Sequence, residues 1–168
     1  MRTIVIMGVA GCGKSTIADA ISKRISACFI EGDEFHPPEN VRKMSTGIPL
    51  TDADRQGWLQ GLALEITDRA RASERVIVAC SALKRSYRDT LRQASPDLGF
   101  VFLELTPEQA MDRVSQRSNH FMPASLVESQ FRDLEPPRDE PLVLSISAIE
   151  SIKTIADKAI SWWSTINA

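Results

Sequence analysis

Eight residues near the start of the chain, Gly8-Val9-Ala10-Gly11-Cys12-Gly13-Lys14-Ser15, follow the spacing G-x-x-x-x-G-K-[ST]. The pattern constrains the fold because it operates only between a buried strand and the start of a helix. Thr3-Ile4-Val5-Ile6-Met7 is a short apolar run of the strand type, and Thr16 to Ala27 reads as a helix. Small residues at Gly8, Val9, Ala10, Gly11, Cys12 and Gly13 let backbone N–H groups turn inward onto an anion. The helix that follows points its positive end at the same place. Lys14 reaches toward the terminal phosphates of a nucleotide, and the Ser15 hydroxyl is placed to ligand Mg²⁺. Cys12 lies inside this cradle at a helix N-terminus, where the field favours a thiolate, so a reactive thiol is expected there.

The chain has 168 residues, which predicts one domain, and 43% of them are apolar, enough for a real core. A net charge of −2 gives no general attraction to nucleic acid or to an anionic membrane. No apolar run is long enough to span a bilayer, and the first strand and phosphate loop occupy the place of a signal peptide. The three cysteines, Cys12, Cys28 and Cys80, show no C-x-x-C pairing. Free thiols in a reducing cytoplasm are the expectation, and a zinc site is not.

Apolar runs and breakers predict strands over 3–7, 28–31, 76–80, 100–105 and 142–146. Helices are predicted over 14–27, 38–46, 52–73, 83–94, 107–117, 124–133 and 149–166. Strands separated by helices imply a three-layer α/β fold, a five-stranded parallel sheet with helices on both faces. Such sheets place ligands at the carboxyl ends of their strands. Gly8 to Ser15, Glu31-Gly32-Asp33 and Ser81-Ala82-Leu83-Lys84 all fall there.

Asp33 follows the second strand. It is placed to accept a proton from an attacking hydroxyl or to organise Mg²⁺ through water; its bland reading is a capping acid before the helix that Pro38 opens. His36 reads equally as a structural hydrogen-bonder or a participant. Thr51 or Asp52 caps the next helix, with Trp58 packed inward, and Arg55 stands out as a guanidinium suited to a carboxylate. Lys84, Arg85 and Arg88 gather positive charge at a helix start, where the dipole disfavours it, which suggests an anionic ligand. Arg113 and Arg117 lie four apart on one helix face and lead into Ser118-Asn119-His120-Phe121-Met122-Pro123. They read as a water-excluding lid over a nucleotide, or as two exposed arginines.

Together with Asn40-Val41-Arg42-Lys43-Met44-Ser45-Thr46-Gly47-Ile48-Pro49-Leu50, Cys80-Ser81-Ala82-Leu83-Lys84-Arg85-Ser86-Tyr87-Arg88-Asp89 and Ser129-Gln130-Phe131, these segments resemble the gluconokinases. Those are small carbohydrate kinases of the nucleoside-monophosphate-kinase-like P-loop group. The resemblance runs from Thr3 to about Leu144. It implies a P-loop kinase domain over 1–168, a substrate-binding helical segment at about 37–60 and a lid at about 117–130. It implies ATP-dependent phosphorylation of D-gluconate at its 6-hydroxyl, with Mg²⁺, in a cytoplasmic homodimer. By similarity Lys14 and Asp33 are catalytic, and Gly8 through Thr16 with Arg113 and Arg117 hold the nucleotide. Asp33, His36, Arg55, Lys84 and Arg88 contact the sugar acid. Two positions depart from the family pattern: Gly57 stands where Pro is frequent, and Asn119 where Gly is.

Two other readings compete. A kinase for another small acceptor, shikimate-like or a nucleotide, would share the phosphate loop and differ in the acceptor pocket. A non-catalytic GTP switch would be expected to carry D-x-x-G and [NT]-K-x-D elements. Asp97-Leu98-Gly99 has the wrong spacing for the first, and the second is absent from the sequence.

Overall fold

A computed structural model describes residues 3–72, 75–95, 97–116 and 124–167. Five strands form its sheet: β1 (Thr3–Met7), β2 (Cys28–Glu31), β3 (Val76–Ala79), β4 (Gly99–Glu104) and β5 (Val143–Ser147). Their spatial order is β2-β3-β1-β4-β5, and every neighbouring pair is parallel. The helices are α1 (Lys14–Ile25), α2 (Pro38–Ser45), α3 (Asp52–Arg71), α4 (Arg85–Arg92), α5 (Pro107–Ser115), α6 (Ala124–Asp133) and α7 (Ile152–Ile166). The expected α/β architecture is therefore present, with element ends displaced by three residues at most.

The displacements have local causes. Helix α1 stops at Ile25 because Ser26 turns left-handed (φ 53°) and gives its N–H to Ser22 O. Helix α7 starts late because Ser151 caps it, its hydroxyl accepting from Thr154 N at 3.1 Å. One short 3₁₀ turn, Gly32–Phe35, lies outside the expected elements and carries Asp33.

Strand β1 is central and wholly buried, so its alternate residues feed two cores. Ile4 and Ile6 pack with Ile17, Ile21, Val114, Val127, Ile155 and Trp163 beneath α1, α5, α6 and α7. Val5 and Met7 pack with Trp58, Leu62, Ile66, Tyr87 and Leu91 beneath α3 and α4. The helix α3 that carries Gly57 is continuous, and a Cβ at Gly57 would meet nothing within 4 Å, so that departure from the family pattern costs no packing.

The register brings three chain segments out at one edge. Ile6 of β1 and Glu31 of β2 both pair with Ala79 of β3, so the residues that follow each strand emerge together. Gly8 N donates to Ser81 O at 3.3 Å, which ties the phosphate loop to the segment after β3. Only glycine fits at position 8. Its φ is +143°, and a Cβ there would lie 2.8 Å from both Cys12 Sγ and Leu103 O. Gly32 is fixed by contact instead, since a Cβ would lie 2.4 Å from Ala79 O. The close approach of the Gly32 backbone to β3 is what sets Asp33 at this edge.

Candidate active site

The phosphate loop runs from β1 into α1. Gly13 precedes the helix with φ 96°, and no side chain caps the first turn. The N–H groups of this first turn therefore face the cradle, whereas within the loop the N–H groups of Gly8, Ala10 and Cys12 donate to Ser81 O, Gln130 Oε1 and Val9 O. Ser15 and Thr16 are exposed at this end, and the Lys14 Nζ rests on Val9 O at 3.1 Å. Among the described residues no cluster of three or more His, Cys, Asp or Glu could hold a metal. An exposed serine at an uncapped helix start fits Mg²⁺ all the same, because that ion keeps most of its ligands as water and phosphate oxygen.

Cys12 does not face the cradle as a reactive thiol. Its side chain is 1% exposed and belongs to the core beneath α1 and α5, where the loop needs a small residue and a reagent has no route. Arg113 reaches the loop from behind: one nitrogen donates to Gly11 O at 3.4 Å and to Cys12 O at 3.5 Å. The other donates to Ala148 O, just after β5, at 2.7 Å. Arg117 and the first part of the expected lid, 117–123, lie outside the described residues. The remainder, 124–130, is part of α6, which is anchored by buried Leu126, Val127 and Ser129.

Asp33 stands at the carboxyl end of β2, its side chain 72% exposed. It shares the neighbourhood of buried Cys80 with Lys14 and Glu31. Burial pushes the Cys80 thiol up to about 12, with Asp33 adding to the rise and Lys14 opposing it. A carboxylate and the phosphate-loop ammonium are thus gathered at one sheet edge. His36 closes the same corner. Its ring stacks on Trp58 with centroids 4.0 Å apart, and its Nε2 lies 3.9 Å from Asp33 Oδ1.

Arg55 and Lys84 come together from α3 and the start of α4. Arg55 lies 3.3 Å from Asp133 Oδ2 and donates to the Tyr87 hydroxyl at 3.4 Å. Lys84 Nζ contacts Asp52 Oδ1 at 2.7 Å and stands 4.0 Å from Asp133 Oδ1. The Tyr87 hydroxyl donates to Asp52 as well. The hydrogen bond from Lys84, then that from Tyr87, holds the Asp52 carboxyl below its usual range, and the same bond holds the Lys84 ammonium above its own. Two cations, two carboxylates and a phenol form one cluster beside the phosphate edge.

Arg88 does something else. Its side chain is fully buried and every guanidinium N–H is spent inside the protein. It donates to Ala82 O, Leu83 O, Glu135 O and both oxygens of Glu140. No donor remains for a sugar acid, and the expected substrate contact is corrected to a brace that shapes the 82–84 turn. Burial alone would push the Glu140 carboxyl up, but the bonds from Arg88 and Arg92 outweigh it and hold it below the usual range. Two of the three basic side chains at the start of α4 are answered by the protein's own carboxylates, Arg88 by Glu140 and Lys84 by Asp52, while Glu135 accepts from the backbone N–H of Arg85 at 2.7 Å and so caps the helix start.

Four residues without an assigned role in the sequence reading now have one. Asn40 bridges α2 to Asp54 and His36. Tyr87 joins Arg55 to Asp52. Gly32 allows the close approach described above. Gln130 of α6 accepts from Ala10 N at 2.6 Å, which fastens that helix to the phosphate loop. Each lies within a segment that carries the family resemblance, and the hint available in sequence was a polar or glycine residue beside chemistry-bearing ones.

Comparison with known proteins agrees with this geometry. A family described as "AAA domain" matches residues 4–140. A gluconokinase from Gluconobacter oxydans is 42% identical over 95% of this chain and 89% of its own. The crystal structure of a gluconokinase from Sinorhizobium meliloti superposes with a TM-score of 0.89 at 44% identity, covering 98% of this chain and 92% of that one. A shikimate kinase from Aquifex aeolicus shares the fold alone, at 13% identity and a TM-score of 0.66 over 96% of each chain. By these relationships the chain belongs to the gluconokinase family of P-loop kinases.

Proposed function

We propose that this protein transfers the γ-phosphoryl group of ATP to the 6-hydroxyl of D-gluconate, giving ADP and 6-phospho-D-gluconate. The observation that carries the reading is the meeting of three groups at one sheet edge. These are an uncapped phosphate loop with Lys14, the exposed carboxylate of Asp33, and the paired cations Arg55 and Lys84. The relatives' names support the acceptor.

The hydroxyl oxygen attacks the γ-phosphorus as the bond to the ADP oxygen breaks, and its proton passes to Asp33. Lys14 and the uncapped N–H groups at the start of α1 stabilise the charge that spreads over the phosphoryl oxygens. Arg113 steadies the loop and the nucleotide from the β5 side. Ser15 would hold Mg²⁺ together with the nucleotide, and the ion would supply neutralisation of phosphate charge there. Arg55 and Lys84 take the gluconate carboxylate, exchanging contacts with Asp133 and Asp52 for contacts with the substrate. His36 meets a substrate hydroxyl. The family resemblance supports a homodimer as the working form, and the lack of paired cysteines suits the cytoplasm.

The test is ADP release with a panel of acceptors: gluconate, sorbitol, glucose, shikimate and a nucleoside monophosphate. A site that leaves two cations unpaired rejects a neutral polyol strongly, so kcat/KM for gluconate should exceed that for sorbitol by at least about a hundredfold. Comparable use of sorbitol overturns carboxylate recognition, and preference for shikimate or a nucleotide overturns the acceptor.

A further inference from the structure

Asn40 sits on α2, 3% exposed, and its Nδ2 donates to the backbone carbonyl of Asp54 at 2.8 Å. A carbonyl oxygen only accepts, so the atom facing it is the amide nitrogen and not the amide oxygen. The second hydrogen of the same NH₂ group points to His36 Nδ1, 3.4 Å away. An N–H meets that nitrogen favourably only when it offers a lone pair. Nδ1 is then bare, and the proton of the neutral ring lies on Nε2. Nε2 is the nitrogen on the Asp33 side. The ring cannot easily turn out of this arrangement. It is stacked on Trp58 at an interplanar angle of 20°, and the Trp58 indole N–H is itself held by Gly32 O at 2.7 Å.

We propose that Asn40 is a positioning residue that fixes the tautomer of His36, so that a neutral imidazole presents Nε2–H beside the Asp33 carboxylate. The gap of 3.9 Å is too long for a direct hydrogen bond and suits a shared partner. A hydroxyl oxygen seated to one side accepts from Nε2–H with one lone pair and donates its own proton to Asp33. Its second lone pair remains for attack. A neutral ring matters because an imidazolium here would draw on the Asp33 charge and weaken it as a base. Burial holds His36 below the usual imidazole range, the Asp33 carboxylate works against this, and the Arg55 guanidinium of α3 adds to it. The other nearby carboxylate, Asp54, is taken up by Lys43 of α2. The inference rests on the gluconate reading only for the identity of the hydroxyl compound.

The direct measurement is a long-range ¹H–¹⁵N spectrum of the histidine rings in the wild-type protein without substrate, at about pH 7. The chain has two histidines, and His36 is assigned by its loss in His36→Gln. A neutral ring protonated at Nε2 is expected. A ring protonated at Nδ1, or an imidazolium, overturns the proposal. Asn40→Asp places an acceptor against Nδ1, so the proton should move there; an unchanged His36 signature in the folded variant overturns the role of Asn40. Kinetics add a third arm. Both ring replacements should lower kcat/KM, but the amide nitrogen of His36→Gln reaches the place of Nε2 whereas that of His36→Asn reaches only the place of Nδ1, so His36→Asn should lose about tenfold more. Equal losses overturn the donor role. Because the spectrum needs no substrate, a protein with the Nε2–H ring that leaves gluconate untouched loses the acceptor assignment and keeps the tautomer.

Discussion

At the scale of single residues, Lys84 and Arg88 show how one basic run divides between two tasks. They are four apart, yet Lys84 reaches a half-exposed cluster open to a ligand, while Arg88 is sealed beneath the 82–84 turn. A buried guanidinium is tolerable only when its donors are met, and Glu140 with three backbone carbonyls meets them. The consequence is a mutation with a mainly structural effect. Arg88→Met leaves Glu140 buried with Arg92 as its remaining cation, and should cost about 3–5 kcal/mol of folding stability. Urea titration measures the loss. The folded fraction should keep its KM for gluconate within a few-fold, and a KM raised tenfold or more would restore Arg88 to the substrate site. Lys84→Ala should behave in the opposite way, with little change in stability and a raised KM.

At the scale of elements, the strands and helices were legible because both faces of the sheet are buried. That produces short continuous apolar runs, and the intervening helices carry recognisable starts. Thr51 and Asp54 form a reciprocal cap on α3, and Thr106 and Gln109 form one on α5. The 3₁₀ turn after β2 was not legible, since it follows from the close approach of Gly32 to Ala79 O across the sheet. The partners of the basic residues were hidden for the same reason. Glu140 is 52 residues from Arg88, and Asp133 lies on another helix from Arg55. The phosphate loop and Asp33 could be read locally; which cation meets which carboxylate could not.

The cap of α3 also fastens α2, because Asp54 accepts from Lys43 Nζ at 2.6 Å. That bond, then those at Thr51, hold the Asp54 carboxyl at about 2, below its ordinary 3.8. A lowered folded value means the stabilisation is present above about pH 4 and fades as pH falls toward 2. The stability difference between wild type and Asp54→Asn, measured by urea titration across this range, should therefore be largest near neutrality and shrink on acidification. A difference that stays constant with pH would remove the charge from the account and leave only the cap geometry.

At the scale of the whole molecule, the sheet edge joins two sets of elements, which the proposed reading gives to different ligands. The nucleotide set is β1, α1, α5 and the turn after β5, linked by the contacts of Lys14 and Arg113. The acceptor set is the end of β2, the starts of α3 and α4, and the end of α6, linked by Arg55, Lys84, Tyr87 and Asp133. The two sets pack largely on separate cores, one on each face of the sheet. Each ligand should then stabilise the fold independently, by an amount set by its own occupancy. A ligand at a hundred times its Kd adds about 2.7 kcal/mol, which for a domain of this size is a rise in Tm of roughly 5–10 °C. Thermal melts of wild type should show such a rise with ATP and, separately, with gluconate. Lys14→Ala should lose most of the ATP shift and keep the gluconate shift. Arg55→Ala should do the reverse, since its guanidinium lies 3.3 Å from Asp133 in the acceptor cluster and takes no part in the phosphate-loop contacts. The two variants together separate a shared edge from a shared site: if Arg55→Ala abolishes the ATP shift as well, the cation cluster belongs to the nucleotide, and the division of the edge between two ligands fails.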